Sequence, residues 1–316
     1  MAQEKPYFSF DAYLKQIFGQ KVQKIPLDAG SSCPNRDGTL GTGGCSFCNA
    51  SGAGSGLSAS MTLAEQWDHW RRKYAVSDRL KHTTLFLAYI QSFTNTYGPA
   101  ERIRRMIGEL AQFSGLAGLC IGTRPDCVDG EKLAILADTP WKENWIEFGV
   151  QSMNDATLKR INRRHDAACS VQAIQDAHDA GLKVCAHLMA GLPGESPEDF
   201  LETVKSVCRL PIDGVKLHGL YVCEGSAIAD DWLAKRYAPM GMETYAETIA
   251  EALTMIPPRI IIHRLTADPG RDELLAPSWA SEKGTVVRRI EELLFHDGKC
   301  QGSALPHAGS ATSAVP

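Results

Sequence analysis

The sequence predicts an α/β protein built as a partial (β/α)6 TIM-like barrel with a C-terminal extension. Three observations lead there. Six apolar, β-rich runs alternate with helical patterns between residues 22 and 225, as βαβ units of a parallel sheet do. Six such repeats in roughly 200 residues, joined by right-handed crossovers, suit a barrel or partial barrel better than two separate domains. Several of the runs carry polar groups on one face only, so the inside of the sheet is more than packed hydrocarbon. A doubly wound open sheet is the alternative that periodicity leaves open.

The 316 residues suffice for one large domain, and 44% of them are hydrophobic, enough for a sizeable core. The first segment, 1–20, begins "MAQEKPYFSF" and has no apolar signal-peptide core, so a cytoplasmic location is expected. No apolar run is long enough to span a bilayer. Net charge is −4, so nucleic acid as a partner is not indicated by charge, although a local basic patch remains compatible with it.

The barrel core is expected over 21–225. Its strands are "VQKIPLD" (22–28), "TTLFLAYI" (83–90), "LAGLCIG" (116–122), "WIEFGVQ" (145–151), "KVCAHLMAG" (183–191) and "GVKLHGLYV" (214–222). Helical patterns lie near 62–79, 99–114, 130–138, 154–161, 169–180 and 197–209. Period-two alternation sets Val184, Ala186, Leu188 and Ala190 on one face, and Cys185, His187 and Met189 on the other. Likewise Lys216 and His218 share a face, as do Glu147, Gly149 and Gln151. For one strand a self-satisfied polar network would explain this. For three strands of one sheet a functional cavity explains it better. His187, Lys216 and His218 are therefore the catalytic candidates, since a histidine exchanges protons near neutral pH. An extension over 226–300 holds helical patterns near 226–236, 242–255 and 285–296 and a strand at 259–268. The last residues, 301–316, lack periodicity and read as a flexible tail.

Ten cysteines in a reducing compartment point to metal or catalysis rather than disulfides. Cys169, Cys208 and Cys300 read as ordinary thiols. Cys33, Cys45 and Cys48 differ. They sit in "SCPNRDGTLGTGGCSFCNASG" with the spacing C-x11-C-x2-C. Two thiolates on one tight turn can grip a single centre, and Gly41, Gly43 and Gly44 let backbone approach it. Structural zinc takes four protein ligands, and neither a second C-x2-C nor a loop histidine is present. A redox C-x-x-C opens a helix after a strand. An iron–sulfur cluster held by three cysteines leaves one iron open for a small molecule. A zinc- or redox-binding module using the same thiols stands as the alternative.

The ordered phrases "SSCPNRDG", "GGCSFCN", "IGTRPDCV", "INRRHD", "HLMAGLPGE" and "GVKLHGLYV", spread over roughly residues 10–305, resemble the radical S-adenosylmethionine (SAM) superfamily. Within it they resemble the branch related to the Elongator catalytic subunit and coproporphyrinogen dehydrogenase, and in that branch the YhcC-type group. The resemblance implies that Cys33, Cys45 and Cys48 ligate a [4Fe-4S] cluster. SAM would chelate the fourth iron, and its reductive cleavage would yield a 5′-deoxyadenosyl radical that abstracts hydrogen from substrate. Phe47 matches the aromatic residue beside the cluster. Thr94 and Asn95, in "IQSFTNT", align with the end of a SAM-contacting stretch. Arg124 and Asp126 fall near adenosine or substrate, or form a loop ion pair. Glu147 and Gln151 match SAM contacts, and Arg163 matches an arginine on the methionine carboxylate, which a guanidinium suits by its fork geometry. Gly191 belongs to the turn near adenine. Cys223, Glu224 and Arg264 are weaker candidates at the same mouth. An electron donor such as flavodoxin or ferredoxin is implied. Relatives in the branch act on tRNA wobble uridine or on porphyrins, so tRNA and a small metabolite are both candidate substrates. No acetyltransferase domain like that of the Elongator subunit is expected in these 316 residues.

Overall fold

The computed structural model describes residues 5–50, 52, 60–270 and 272–306. Strands β1 (Val22–Leu27), β2 (Leu85–Ile90), β3 (Leu116–Thr123), β4 (Glu143–Gln151), β5 (Lys183–Ala190) and β6 (Gly214–Gly219) follow one another in space as in sequence. A further strand, named β8 (Ile261–Arg264) because the short β7 (Val222–Cys223) precedes it, completes the row. All neighbours in this seven-stranded sheet are parallel. The sheet curls into a half-barrel whose edges are β1 and β8, and it thus holds one strand more than the expected six.

Helices α1 (Phe10–Phe18), α2 (Leu63–Ala75), α3 (Ala100–Leu110), α4 (Gly130–Ala137), α5 (Asp155–Arg160), α6 (Ala167–Asp179) and α7 (Pro197–Cys208) precede or connect these strands. After β6 come α8 (Ala227–Leu233), α9 (Met242–Met255), the strand β9 (Leu274–Ala276) and α10 (Lys283–His296). Sequence chemistry starts the helices where expected. Thr62 and Glu65 form a capping box on α2, and Ser196 and Asp199 form one on α7. Asp129, Asn154 and Asp166 cap α4, α5 and α6. Each such cap contributes about 1 kcal/mol.

Both faces of the sheet are covered, so the strands are nearly continuously buried, as in other parallel sheets. The outward residues of the strands, such as Ile25, Ala88, Ile146, Val184 and Val215, form one core with the surrounding helices. A second core lies inside the barrel at the N-terminal strand ends. There Phe10 and Leu14 of α1 meet Val22, Leu87, Cys120, Trp145, Cys185 and Ile261. The sequence identifies 1–20 only as an N-terminal extension. Helix α1 instead plugs the barrel floor, because its Phe10 and Leu14 share one face that only the barrel interior can bury. Phe10 stacks on His263 at 3.9 Å between centroids and meets Trp145 edge-on at 5.4 Å. Tyr13 hydrogen-bonds Glu143 at 3.1 Å and accepts from Lys183 Nζ at 2.7 Å.

Two other expectations need correction. The run 214–222 is not one strand: β6 ends at Gly219, and β7 pairs antiparallel with β9 beside the barrel mouth. The tail does not begin at 301. Gln301 is buried, donates to the carbonyls of Pro257 (2.9 Å) and Ile260 (2.7 Å), and accepts from Phe8 N–H (2.8 Å). A side chain with three backbone partners docks this end of the chain, without any periodicity to announce it. Residues 307–316 of the expected tail lie outside the described residues.

Candidate functional site

A cavity of about 420 Å³ opens at the C-terminal ends of the strands, where barrels of this kind carry their chemistry. One wall is the cysteine loop after β1. Cys33, Cys45 and Cys48 all line the cavity. The loop is held by its own backbone: Arg36 N–H donates to Cys33 O (2.9 Å), Gly44 N–H to Asn35 O (2.8 Å) and Cys48 N–H to Cys45 O (3.0 Å). Gly44 has φ 78°, and a Cβ there would meet the Arg36 guanidinium at 2.9 Å. That guanidinium donates to the carbonyls of Cys48 (3.1 Å) and Asn49. Asn162, after α5, clamps the loop by donating to Gly44 O at 2.7 Å, while Asn35 donates to Asn162 O at 2.6 Å. Ser46 is tied on both sides, to Ile161 O (3.0 Å) and from Ile228 N–H (2.8 Å).

Arginines surround the thiols. Arg163 Nη1 is 3.4 Å from Cys45 Sγ, and Arg124 Nη1 is 4.0 Å from it. Asn35 Nδ2 lies at 3.6 Å. Cys45 is held well below the ordinary thiol value. Donation from the Cys48 thiol is the main cause, burial opposes it, and the charges of Arg163 and Arg124 assist. Arg124 is also fixed by a forked ion pair to Asp126 at 2.8 and 2.6 Å and by Arg163 O at 2.8 Å. Both readings of "RPD" thus meet in one arrangement: the loop ion pair aims the guanidinium at the thiols. Asp126 itself does not line the cavity.

Of the other expected cofactor contacts, Thr94, Glu147, Gln151 and Arg163 line the cavity. Asn95 and Gly191 do not. Asn95 turns inward, donating to Ile90 O (3.2 Å) and Gly122 O (2.9 Å) and accepting from Ser31 Oγ (2.7 Å). Gly191, with φ 79°, accepts from Tyr237 OH at 2.8 Å. Among the described residues, two buried polar atoms at the cavity have no hydrogen-bond partner: Arg163 Nε and Gln151 Oε1. Gly149 lies between them on β4, where a Cβ would meet Arg163 Nη2 and Gln151 Nε2 at 2.8 Å each.

The opposite wall is built around Glu147, which is fully buried. Register sets the residues around it in one row: Gly149 pairs with His187 across β4 and β5, His187 with Lys216 across β5 and β6, and Lys216 with Arg264 across β6 and β8. Glu147 accepts from Lys24 Nζ (3.0 Å), His187 Nε2 (2.9 Å) and Lys216 Nζ. Lys216 also donates to Tyr89 OH at 2.9 Å. Burial alone would raise the Glu147 carboxyl, but Lys216, Lys24 and the His187 bond hold it well below the ordinary 4.5. Burial pushes His187 down to about 4 and His218 to about 3, with the Lys216 charge adding in both cases. His187, Lys216 and His218, the three catalytic candidates, all line this wall. Sequence reading missed Lys24 and Tyr89. Alternation carried the signal: Val22 and Lys24 share a face, as do Leu87 and Tyr89.

The thiols, their arginine escort and the unpartnered atoms fit a negatively charged cluster with a polar small molecule beside it. Among the described residues, no group of three or more His, Cys, Asp or Glu side chains is gathered around a single-ion position. A cluster differs from one ion in that each thiolate binds its own iron.

A half-barrel with a cysteine-bearing loop after its first strand is the arrangement of a radical SAM enzyme, and the comparisons agree. The profile of the radical SAM superfamily matches residues 39–207, and that of the radical SAM C-terminal domain matches 212–295. The chain belongs to the radical SAM superfamily. Protein YhcC of Escherichia coli is 39% identical over 298 residues, 94% of each chain. A tRNA uridine(34) acetyltransferase of Dehalococcoides mccartyi is 34% identical over 167 residues, which are 52% of this chain and 36% of that protein. Among solved structures, the archaeal Elp3 of Methanocaldococcus infernus superposes with a TM-score of 0.65 at 21% identity, covering 88% of this chain and 64% of that one. Radical SAM proteins carry [4Fe-4S] clusters and SAM as a family and draw on a reductant. Among the described residues, no helix is long and apolar enough to cross a membrane.

Proposed function

We propose that Cys33, Cys45 and Cys48 hold a [4Fe-4S] cluster with one iron open to SAM, and that the enzyme uses the pair to abstract hydrogen from a substrate against the Glu147 wall. One observation carries this reading: three thiols from one loop line a cavity that also holds unpartnered buried polar atoms on Arg163 and Gln151. The chemistry supplied by the bound pair is one-electron cleavage of SAM to a 5′-deoxyadenosyl radical, driven by a donor such as flavodoxin or ferredoxin.

The chain's own residues do the rest. Arg163 and Arg124 stabilise the Cys45 thiolate by charge and hydrogen bonding. Gly149, lacking a side chain, leaves the space between Arg163 and Gln151 open to a ligand. The free Nε–H of Arg163 is a donor for a carboxylate, and Gln151 Oε1 is an acceptor for an ammonium. Those are the two charged groups of an amino acid. Thr94 adds a hydroxyl on the same wall. Glu147 orients His187 and Lys216 from below and keeps the Lys216 ammonium facing the cavity.

The test is anaerobic reconstitution. The protein should turn brown with about four irons per chain, and should release 5′-deoxyadenosine with SAM and a strong reductant. Cys45→Ala should lose the iron. One zinc per chain, colourless protein and no nucleoside release would mean that the zinc-module alternative holds.

A further inference from the structure

The wall opposite the thiols carries more positive charge than its own carboxylates neutralise. Three cations meet there: Lys24, Lys216 and Arg264. Two carboxylates answer them, Glu147 and Asp268. Glu147 is shared between both lysines, one at each oxygen. Asp268 faces Arg264 at 3.4 Å and is also claimed by Lys283. The neighbouring histidines do not alter the count, since burial keeps His187 and His218 neutral at physiological pH. With Lys283 also drawing on Asp268, positive charge outnumbers negative on this wall. Lys216 is the most buried of these cations, with a side chain 5% exposed against 21% for Lys24 and 36% for Arg264.

The surplus has an outlet in the cavity. The Lys216 ammonium has three N–H groups, and its partners among the described residues, Glu147 and Tyr89, use two. Tyr89 accepts from Lys216, so its own O–H proton remains to be donated. Both residues line the cavity, as do His218 and Arg264. Around these donors the lining is aromatic, from Trp70, Tyr89 and Tyr221. A site with surplus positive charge, several converging donors and flat apolar sides has the chemistry of a carboxylate receptor.

Resting on the reading of the cavity as a radical SAM active site, we propose that the substrate bears a carboxylate that seats on Lys216 and Tyr89, with Arg264 at its outer side. The carbon skeleton lies along the aromatic lining, between the carboxylate and the thiol wall. The open cavity of about 420 Å³ takes the carboxylate-bearing end of the substrate beside the cofactor. Lys24 contributes through charge alone: its Nζ is held by Glu147 and lies 4.9 Å from the Tyr89 ring centroid, and it does not line the cavity.

The test is isothermal titration of the anaerobically reconstituted, SAM-loaded full chain with acetate, hexanoate and benzoate. Benzamide and inorganic phosphate serve as controls, at constant ionic strength. At least one carboxylate should bind saturably, and benzamide at least tenfold more weakly than benzoate. Lys216→Met should weaken the carboxylate tenfold or more, and Arg264→Met severalfold. Lys24→Met should weaken it severalfold although the ligand does not touch it. Arg264 is partly exposed, so its variant reports even if a lysine variant fails to fold. Binding of none of the three carboxylates, equal binding of benzamide, tighter binding of phosphate, or indifference to Arg264→Met and Lys216→Met would each overturn the proposal. Iron content and visible absorbance are read on the same samples. A failure of the cluster assignment therefore shows there, apart from the anion result.

Discussion

Glu147→Gln removes one charge and changes almost no volume, which makes it the sharpest probe of the polar wall. In the native protein both carboxylate oxygens accept: Lys24 at Oε1, and His187 and Lys216 at Oε2. A glutamine keeps one acceptor oxygen and presents an amide NH2 at the other position. That NH2 faces an ammonium, donor against donor, so one lysine loses its partner in a site where Glu147 is fully buried. Breaking a buried pair by removing one partner costs about 3–5 kcal/mol. The assay is urea unfolding at pH 8, followed by tryptophan fluorescence. With a slope of about 3 kcal/mol per molar, the midpoint should fall by about 1–1.7 M. Adding Lys24→Met removes the orphaned ammonium and should restore more than half of the loss, a coupling that only neighbours show. The pH dependence has a definite sign. The folded carboxyl lies well below its ordinary 4.5, so its contribution is complete above that value. It is lost as pH falls through the depressed one. The gap between parent and variant should therefore narrow in acid. A midpoint within 0.3 M of the parent at pH 8, roughly 1 kcal/mol by the same slope, would falsify the claim that Glu147 is the counter-ion of both lysines.

Three further outcomes follow from the same geometry. Phe10→Ala should destabilise the fold by about 3–5 kcal/mol, because its ring fills the barrel floor between His263 and Trp145; an unchanged urea midpoint would show that α1 does not plug the barrel. Gly149→Ala should leave iron content intact but weaken SAM in equilibrium dialysis roughly tenfold, about 1.4 kcal/mol, since its Cβ occupies the gap between Arg163 and Gln151; native SAM affinity would place the ligand elsewhere. Gln301→Ala should cost about 1–3 kcal/mol through three lost backbone bonds, and protease digestion should then begin at the C-terminal segment; resistance equal to the parent would contradict that docking.

Much of this protein is local information. The strand and helix succession from Val22 to Cys208 is written in alternation, capping residues and apolar runs, and the observed elements fall within a few residues of those bounds. The three loop cysteines were legible from spacing and composition. So were the interior-facing polar residues Glu147, His187, Lys216 and His218, because period-two alternation is a property of the backbone itself. What sequence could not decide was which polar residues meet. Asn95 sat in the expected stretch, yet its amide satisfies two buried carbonyls instead of facing the cavity. Lys24 lay outside every motif, yet curling of the sheet brings β1 across from β4 and joins it to Glu147. The floor helix and Gln301 were invisible for a related reason: each is held by partners far away along the chain. Local propensity determined the strands, the helices and the thiol loop. Closure of the half-barrel alone set two lysines on one carboxylate, because only the curled sheet brings β1, β4 and β6 within reach of one another.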